Sequence, residues 1–517
     1  VICWLWLSLL LGGCVALPVQ VERARSESIP ADASTPLGRA ARDAGGAPGL
    51  TGFKPLPDGA SAWDARVALA RQAKVSIDAQ YFLLRNDETG RQFLRLLRDA
   101  AARGVRVRLL LDDLYTAGLD ELLDGLAAHP NAEVRLFNPF PAGRDGFYSR
   151  FIASLSEFDR LQRRMHNKLY IADGALAVIG GRNIANEYFD FDASANFVDL
   201  DALVAGDAVQ QAAATFDTYW NSDVVFPLHA IVPAMGGPGQ RRERFEALTR
   251  DMAGGPRPDR APPGNPGDRP PSVELAQGRL ALVWAPATIH ADSPAKVLGP
   301  RAAEAQGRPA ETRNLRYDIT QTMRAADREV LIVSPYLVPG RSGMAMFRAG
   351  LERQVRFRVL TNSLAATDEP LVHIGYKRYR TDMLRLGVEL YELSPAGAHK
   401  SRRLQMFNSR GRLHSKTAVI DRRIVFMGSM NFDPRSDLHN TEMYIEIDSR
   451  YIASQVSDII EAQMARSSYR VRLAPDDSGL QWVDPDAGAS VSEEPETSFW
   501  DRFVLDMLAP FAAEDLL

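Results

Sequence analysis

The chain has 517 residues, of which 45% are hydrophobic and 24% charged, and its formal net charge is −4. That length accommodates two core-bearing domains, and the composition is that of an ordinary globular protein. The small acidic excess excludes a global basic field of the kind that gathers nucleic acid. The two cysteines, Cys3 and Cys14, both lie near the N-terminus, which excludes a disulfide framework or a Cys-rich metal site in the body of the protein.

Residues 1–17 (VICWLWLSLLLGGCVAL) form an apolar run. It is shorter than the roughly 20 residues a spanning helix needs and has the length of a secretory signal core. The stretch Leu11-Gly12-Gly13-Cys14 resembles a bacterial lipoprotein cleavage box. That likeness implies lipidation at Cys14 and a membrane-associated protein facing the periplasm. No Lys or Arg precedes the run, and the alternatives are an uncleaved anchor or peripheral attachment at the inner membrane. Residues 18–52, rich in Ala, Gly, Ser, Pro and charge, are expected to form a tether with little structure.

From residue 60 the pattern becomes α/β. A helical stretch at 60–73 precedes the strand word VSIDAQYFL. A helix at 90–103, with Phe93, Leu96, Leu97 and Ala100 at helical spacing, is stopped by Gly104 and followed by VRVRLLLDD. Strand–helix–strand alternation implies a mainly parallel sheet covered by helices. Residues 163–186 (RRMHNKLYIADGALAVIGGRNIAN) then carry His166, Lys168 and Asp173 in the spacing H-x-K-x4-D, with Gly180 and Asn183 seven and ten residues past the Asp.

Residues 231–275 are Pro/Gly-rich (GGPGQRRERF, AGGPRPDRAPPGNPGDRPP) and are expected to be a linker between domain 1 (53–230) and domain 2 (276–470). The order then repeats: a helical stretch at 318–326, VLIVSPYLV, a helix at 343–353, VRFRVLTNS. Tyr336 answers Tyr81, and Val355 answers Val105. Residues 412–431 (RLHSKTAVIDRRIVFMGSMN) repeat the motif with His414, Lys416, Asp421, Gly428, Ser429 and Asn431. Both His and both Asn are displaced by the same 248 positions (414 against 166, 431 against 183). One H-x-K recurs by chance; two copies in one register indicate an internal duplication. The tail, residues 471–517, ends in SFWDRFVLDMLAPFAAEDLL. Its Phe499, Trp500, Phe503, Val504, Met507 and Leu508 form a stripe at helical spacing. Such a stripe serves either a membrane surface or the protein's own core.

LYIA and TAVI are short apolar runs, so each motif rides a strand. Residues i and i+2 share a strand face, so each His and its Lys point the same way. The Gly-Gly and Gly-Ser turns permit close backbone approach. Two His, two Lys and two Asn make a donor-rich pocket suited to a phosphoryl oxyanion. One imidazole can attack phosphorus while the other protonates the leaving alcohol. The lysines supply the positive charge, so this chemistry requires no metal or other cofactor. Asp173 and Asp421 suit orienting or structural duties better than proton transfer. The other six histidines lack this context.

The duplicated H-x-K-x4-D with G-(G/S)-x-N resembles the phospholipase D superfamily. The words RRMHNKLYIADG, GGRNIANEYF, TFDTYWN, LIVSPYLVPG, VLTNSLAATD and MGSMNFDPRS resemble its bacterial cardiolipin synthases of the C type. The resemblance implies two tandem α/β domains in a pseudo-twofold pair, each a mainly parallel mixed sheet flanked by helices. It implies a catalytic set of His166, Lys168, Asp173, His414, Lys416 and Asp421, with His166 as the nucleophile. Asn183, Asn431 and Ser429 would bind or orient the phosphate. Asp199, in FVDLDALVAG, and Glu442, in TEMYIEIDS, sit where relatives place a carboxylate that holds a catalytic His. The substrates implied are phospholipids at a membrane surface: phosphatidylglycerol, with phosphatidylethanolamine as a second candidate, and no nucleic acid. A phospholipase D-type hydrolase, a superfamily nuclease and a non-catalytic binding protein are the alternatives.

Overall fold

The computed structural model describes residues 17–144, 146–154, 157–252, 269–299, 315–401, 410–476, 479–484 and 488–514. Cys14 lies outside them. The strands, in chain order, are β1 (Thr51–Leu56), β2 (Ser76–Tyr81), β3 (Arg106–Asp112), β4 (Ala132–Phe137), β5 (Leu169–Ala172), β6 (Leu176–Gly180), β7 (Ala195–Val198), β8 (Asp201–Gly206), β9 (Val225–Pro227) and β10 (Val283–Ala285). They continue with β11 (Ala287–Ala291), β12 (Glu329–Val333), β13 (Arg356–Asn362), β14 (Glu389–Leu393), β15 (Arg410–Leu413), β16 (Thr417–Ile420), β17 (Ile424–Gly428), β18 (Met443–Asp448), β19 (Ser468–Leu473), β20 (Leu480–Val483) and β21 (Ser490–Val491).

One sheet runs β10-β1-β8-β6-β5-β2-β3-β4-β9, the other β11-β18-β17-β16-β12-β13-β14-β19-β20-β21. Laid side by side, β8-β6-β5-β2-β3-β4 matches β18-β17-β16-β12-β13-β14, so the duplication extends to whole sheets. The mixed sheets agree with expectation, but within these two sheets the parallel pairs among the described residues are those of β2-β3-β4 and β12-β13-β14; β7 and β15 form a separate two-stranded parallel sheet. The strands that carry the motifs are antiparallel hairpins, which need only a short turn and no crossover helix.

Local chemistry explains the elements. Helix Gly59–Gln72 starts where the Asp58 side chain accepts from Ser61 N–H, and helix Glu88–Ala102 where Asp87 accepts from Gly90 N–H. The four residues between Lys and Asp in each motif are β5 and β16. The Asp opens the turn, with φ 52° at Asp173 and 53° at Asp421, and the next residues, Gly174 and Arg422, are also left-handed. One apolar cluster runs through both halves and includes Met165, Phe216, Leu331, Leu413, Met443 and Ile460, so the seam between the sheets is part of a common core.

Three expectations change. The described part of the 18–52 stretch is held to the first sheet: Arg23 Nε donates to the Val225 carbonyl (2.8 Å), Ser28 N–H to Asp217 (2.8 Å), and Arg108 to the Ser26 carbonyl (2.9 Å). Its polar residues find partners on β9, on β3 and on the helix Asp207–Trp220, which composition does not reveal. The expected linker holds the helix Pro238–Leu248, with Phe245 buried beside Gly125. The chain also changes sheets at Pro286, between β10 and β11, rather than at 276. In the tail, β19–β21 extend the second sheet and Phe499–Leu508 is helical as the spacing predicts.

Candidate active site

The two motifs meet at the seam. β7 and β15 pair in parallel, bringing the residue before Asp199 alongside the one before His414. His414 N–H donates to the Val198 carbonyl (2.8 Å). The other side repeats this contact: His166 N–H donates to the Thr441 carbonyl (2.8 Å), and Thr441 N–H to the Arg164 carbonyl (2.8 Å). Each histidine is thereby hydrogen-bonded to the strand that carries the other half's acid.

The acids are crossed between halves. His166 Nδ1 lies 2.9 and 3.1 Å from the Glu442 carboxylate oxygens, and His414 Nδ1 lies 2.6 Å from Asp199 Oδ2. A carboxylate at Nδ1 fixes the tautomer that leaves Nε2 as the reactive nitrogen. Lys168 Nζ donates to the His166 carbonyl and Lys416 Nζ to the His414 carbonyl, the same two-residue reach on both sides. Phe82 stands edge-on to His166 at 4.8 Å, and Tyr188 stands edge-on to His414 at 5.0 Å. Both histidines, both lysines and both acids are buried.

Burial governs the electrostatics. It lowers His166 well below its ordinary value, reinforced by Lys168 and Lys416, and brings His414 to about 4, with Lys416 adding and Asp199 opposing. Lys168 falls well below normal for the same reason, and Lys416 falls to about 8. The two acids diverge. Burial lifts Glu442 to about 7 against Lys168 and the Ser429 hydroxyl. Burial also opposes ionisation of Asp199, but His414, Lys416 and Arg182 outweigh it and hold Asp199 near 2. Two further buried acids, Asp292 and Asp433, are raised in part by Glu442.

The other expected residues divide. Ser429 donates through its hydroxyl to Glu442 and so orients the acid. Asn431 Oδ1 is buried without a hydrogen-bond partner among the described residues, which leaves its amide available for a ligand. Asn183 is committed to the scaffold: its Oδ1 accepts from Leu83 N–H (3.2 Å) and its Nδ2 donates to the Tyr188 hydroxyl (2.9 Å). Asp173 and Asp421 do not join the site. Asp173 accepts the backbone N–H groups of Lys74, Val75 and Ser76, and Asp421 those of Asp327, Arg328 and Glu329. Each ties its motif hairpin to the start of the neighbouring strand. In this structure both carboxylates are engaged by these backbone N–H groups at the turn, at the far end of β5 and β16 from the His/Lys pairs.

Sequence reasoning missed two positioning residues. Asp112 accepts Met165 N–H (2.8 Å), and Asn362 brackets Leu413 through both its carbonyl and its N–H (3.0 and 2.8 Å). Each fixes the residue immediately before a catalytic histidine. They stand at the ends of the matched words VRVRLLLD and VRFRVLTN, where the repeat itself marks them.

Two H-x-K-x4-D hairpins that pool their histidines and lysines at one seam define a phospholipase D-like enzyme. A family model described as "Cardiolipin synthase, PLD-like domain" matches residues 67–220 and 319–464, and the chain belongs to this family. It is 37% identical over 476 residues to cardiolipin synthase C of Escherichia coli (strain K12), an alignment covering 91% of this chain and 97% of that protein. Cardiolipin synthase A of Pseudomonas fluorescens is 25% identical over 416 residues, covering 80% and 68%. The crystal structure of phosphatidylserine synthase from Haemophilus influenzae covers 93% of this chain and 100% of its own, with TM-score 0.58 and 13% identity, a likeness of fold. Among the described residues no helix is long and apolar enough to cross a membrane.

Proposed function

We propose that the protein transfers a phosphatidyl group between phospholipids through a phosphohistidine, making cardiolipin from phosphatidylglycerol and a second phospholipid. The observation that carries this is the crossed pairing, His166 with Glu442 and His414 with Asp199, around two buried lysines. His166 Nε2 attacks phosphorus, the P–O bond to the leaving alcohol breaks, and His414, which enters this step as the imidazolium paired with Asp199, gives its Nε2 proton to that alcohol. The acceptor hydroxyl then gives its proton to His414 and attacks phosphorus as the P–N bond breaks. Lys168, Lys416 and Asn431 hold the phosphoryl oxygens as charge develops. Glu442, set by Ser429, and Asp199 orient the two rings. Asp173 and Asp421 hold the hairpins, and Asn183 holds the loop behind His414. The role of His166 as nucleophile follows the family pattern.

The catalytic unit consists of the two sheet domains, with the helix-bearing segment before β10 between them and the C-terminal strands and helix as an appendage. The apolar leader and Leu11-Gly12-Gly13-Cys14 support lipidation at Cys14 on the periplasmic side. A Cys14→Ser variant should lose lipid labelling; undiminished labelling removes that assignment. For the reaction, phosphatidylglycerol with labelled phosphorus is quenched during turnover. Acid-labile label on the protein together with labelled cardiolipin is expected. Label with phosphatidic acid as the sole product makes the enzyme a hydrolase, and absence of label at every time removes the covalent step.

A further inference from the structure

The aromatic side chains around His166 do not stop at the site. Phe82, which touches His166, meets Tyr115 edge-on at 5.3 Å, and Tyr115 stacks on Phe147 at 6.0 Å. Phe147 opens the helix Phe147–Ala153, whose outer face is apolar and uncovered: Tyr148 is 80% and Ile152 71% exposed. The charge on this helix is turned inward, since Arg150 is buried and donates to the Asp113 carbonyl. All these contacts stand beyond the C-terminal ends of β2 and β3, the strand ends that border His166.

The second half has a matching feature. Leu505 of the helix Phe499–Leu508 is buried against Leu364 and Ile374, just beyond the end of β13. Asn362, the last residue of β13, holds Leu413 next to His414. The helix leaves Phe499, Trp500, Phe503, Val504 and Met507 exposed, Trp500 by 67%. Its charges are used elsewhere: Asp501 caps the N-terminus through Ser498, Asp506 pairs with Lys377 (3.1 Å), and Arg502 pairs with Glu493 (2.8 Å). The exposed surface of the helix therefore carries aromatic and aliphatic groups, with the exposed Asp501 and Asp506 already held in the cap and in the pair with Lys377. Monomeric proteins seldom expose such a face without a partner, and Trp and Phe on a short amphipathic helix suit the boundary between lipid headgroups and acyl chains.

The N-terminal stretch enters along the same rim. Arg23 is held by the Val225 carbonyl, and Val225 pairs with Phe137 at the end of β4. Next in the chain, Asn138 donates to the Arg163 carbonyl (2.8 Å), three residues before His166. The sixteen residues preceding the described chain are the apolar leader. The described chain thus starts near the end of the sheet that borders His166.

We propose that helices Phe147–Ala153 and Phe499–Leu508 form a two-part bilayer-docking face that seats the rim of the active site on a phospholipid surface. This rests on the phospholipid-substrate reading, because substrates whose chains stay in the bilayer must present their phosphates at such a rim. The occupant is the lipid surface itself, and the exposed aromatic and aliphatic side chains of the two helices predict docking by apolar insertion with little dependence on salt.

The test is hydrogen–deuterium exchange of the full chain with and without vesicles of phosphatidylglycerol and phosphatidylethanolamine. Both helices should gain at least tenfold protection when vesicles are added, in low and in high salt. The double variants Tyr148→Asp/Ile152→Asp and Trp500→Asp/Phe503→Asp replace exposed residues and should fold. Each should lose at least tenfold in turnover of vesicle phosphatidylglycerol while keeping turnover of a short-chain, monomeric phosphatidylglycerol. Unchanged exchange in the two helices overturns the proposal. So does protection that appears with protein concentration alone, which would mean that a second copy covers these faces. Vesicle protection with no turnover of either lipid form would leave the docking face standing and remove the catalytic reading instead.

Discussion

Behind His166 stands Glu442, lifted to about 7 and held by the Ser429 hydroxyl; behind His414 stands Asp199, held near 2. The longer acid has a hydroxyl at its back, and the shorter acid has Gly181 at the position that answers Ser429. A Cβ on Gly181 would collide with the Asp199 carboxylate, so a serine cannot occupy that position without moving the acid. Copies of one motif have thus become unequal through the groups beyond the motif. Burial disfavours the charge of Glu442 more than Lys168 and the Ser429 hydroxyl favour it, whereas at Asp199 His414, Lys416 and Arg182 outweigh burial. The permanent Asp199 carboxylate offsets part of the burial that brings His414 to about 4, which suits His414 to take up and return the proton during turnover.

Removing the histidines should have the largest effect. His166→Ala and His414→Ala are each expected to lower turnover by about 10⁴-fold or more, since both steps use both rings. An activated leaving group should partly restore phosphoenzyme formation in His414→Ala and leave His166→Ala inert. The opposite pattern in a quenched-flow assay would exchange the two roles.

The acids sharpen the contrast. Asp199 is ionised throughout the working range, so Asp199→Asn removes a charge at every pH and should lower kcat/KM by about 10³- to 10⁴-fold, as an amide does in place of a triad carboxylate. Glu442 carries its proton below about pH 7 and loses it above. Glu442→Gln should therefore cost about tenfold at pH 6 and about 10²-fold or more at pH 8. Measured kcat/KM at the two pH values checks this, and equal, pH-independent losses would erase the asymmetry.

The groups behind the acids come next. Gly181→Ser should displace Asp199 and cost about 10²-fold in kcat, while Ser429→Ala removes one hydrogen bond to Glu442 and should cost about tenfold. Steady-state kinetics on both variants would decide; a harmless Gly181→Ser would show that the site tolerates a second hydroxyl.

The smallest catalytic effect belongs to the two aspartates of the motif. Asp173→Ala strips partners from buried N–H groups and should destabilise the protein by about 2–3 kcal/mol; Asp421→Ala, at a more exposed turn, should cost about 1 kcal/mol. Activity per folded molecule should stay within about threefold of the parent in both. Thermal unfolding alongside active-site titration separates the two quantities.

Local patterns were legible in the sequence because they follow from backbone geometry. The period-two runs, the turn after Lys-x4, the helix periods and the 248-residue displacement each depend on neighbours along the chain. They determined two tandem α/β units, the strands β5 and β16 that follow His166/Lys168 and His414/Lys416, and the presence of a tail helix; the four side chains themselves stand just before those strands and not in them. Tertiary structure decided how those pieces are partnered. His166 and Glu442 are 276 residues apart and His414 and Asp199 215, and only the packing of the two sheets on one core brings either pair into contact. The same holds for the N-terminal strap on β3, for the helix at 238–248 and for the tail, where Leu505 found a buried site and Trp500 did not. Periodicity identifies a helix and its faces. Which face is covered depends on surfaces distant in sequence, because burial is a property of the assembled fold.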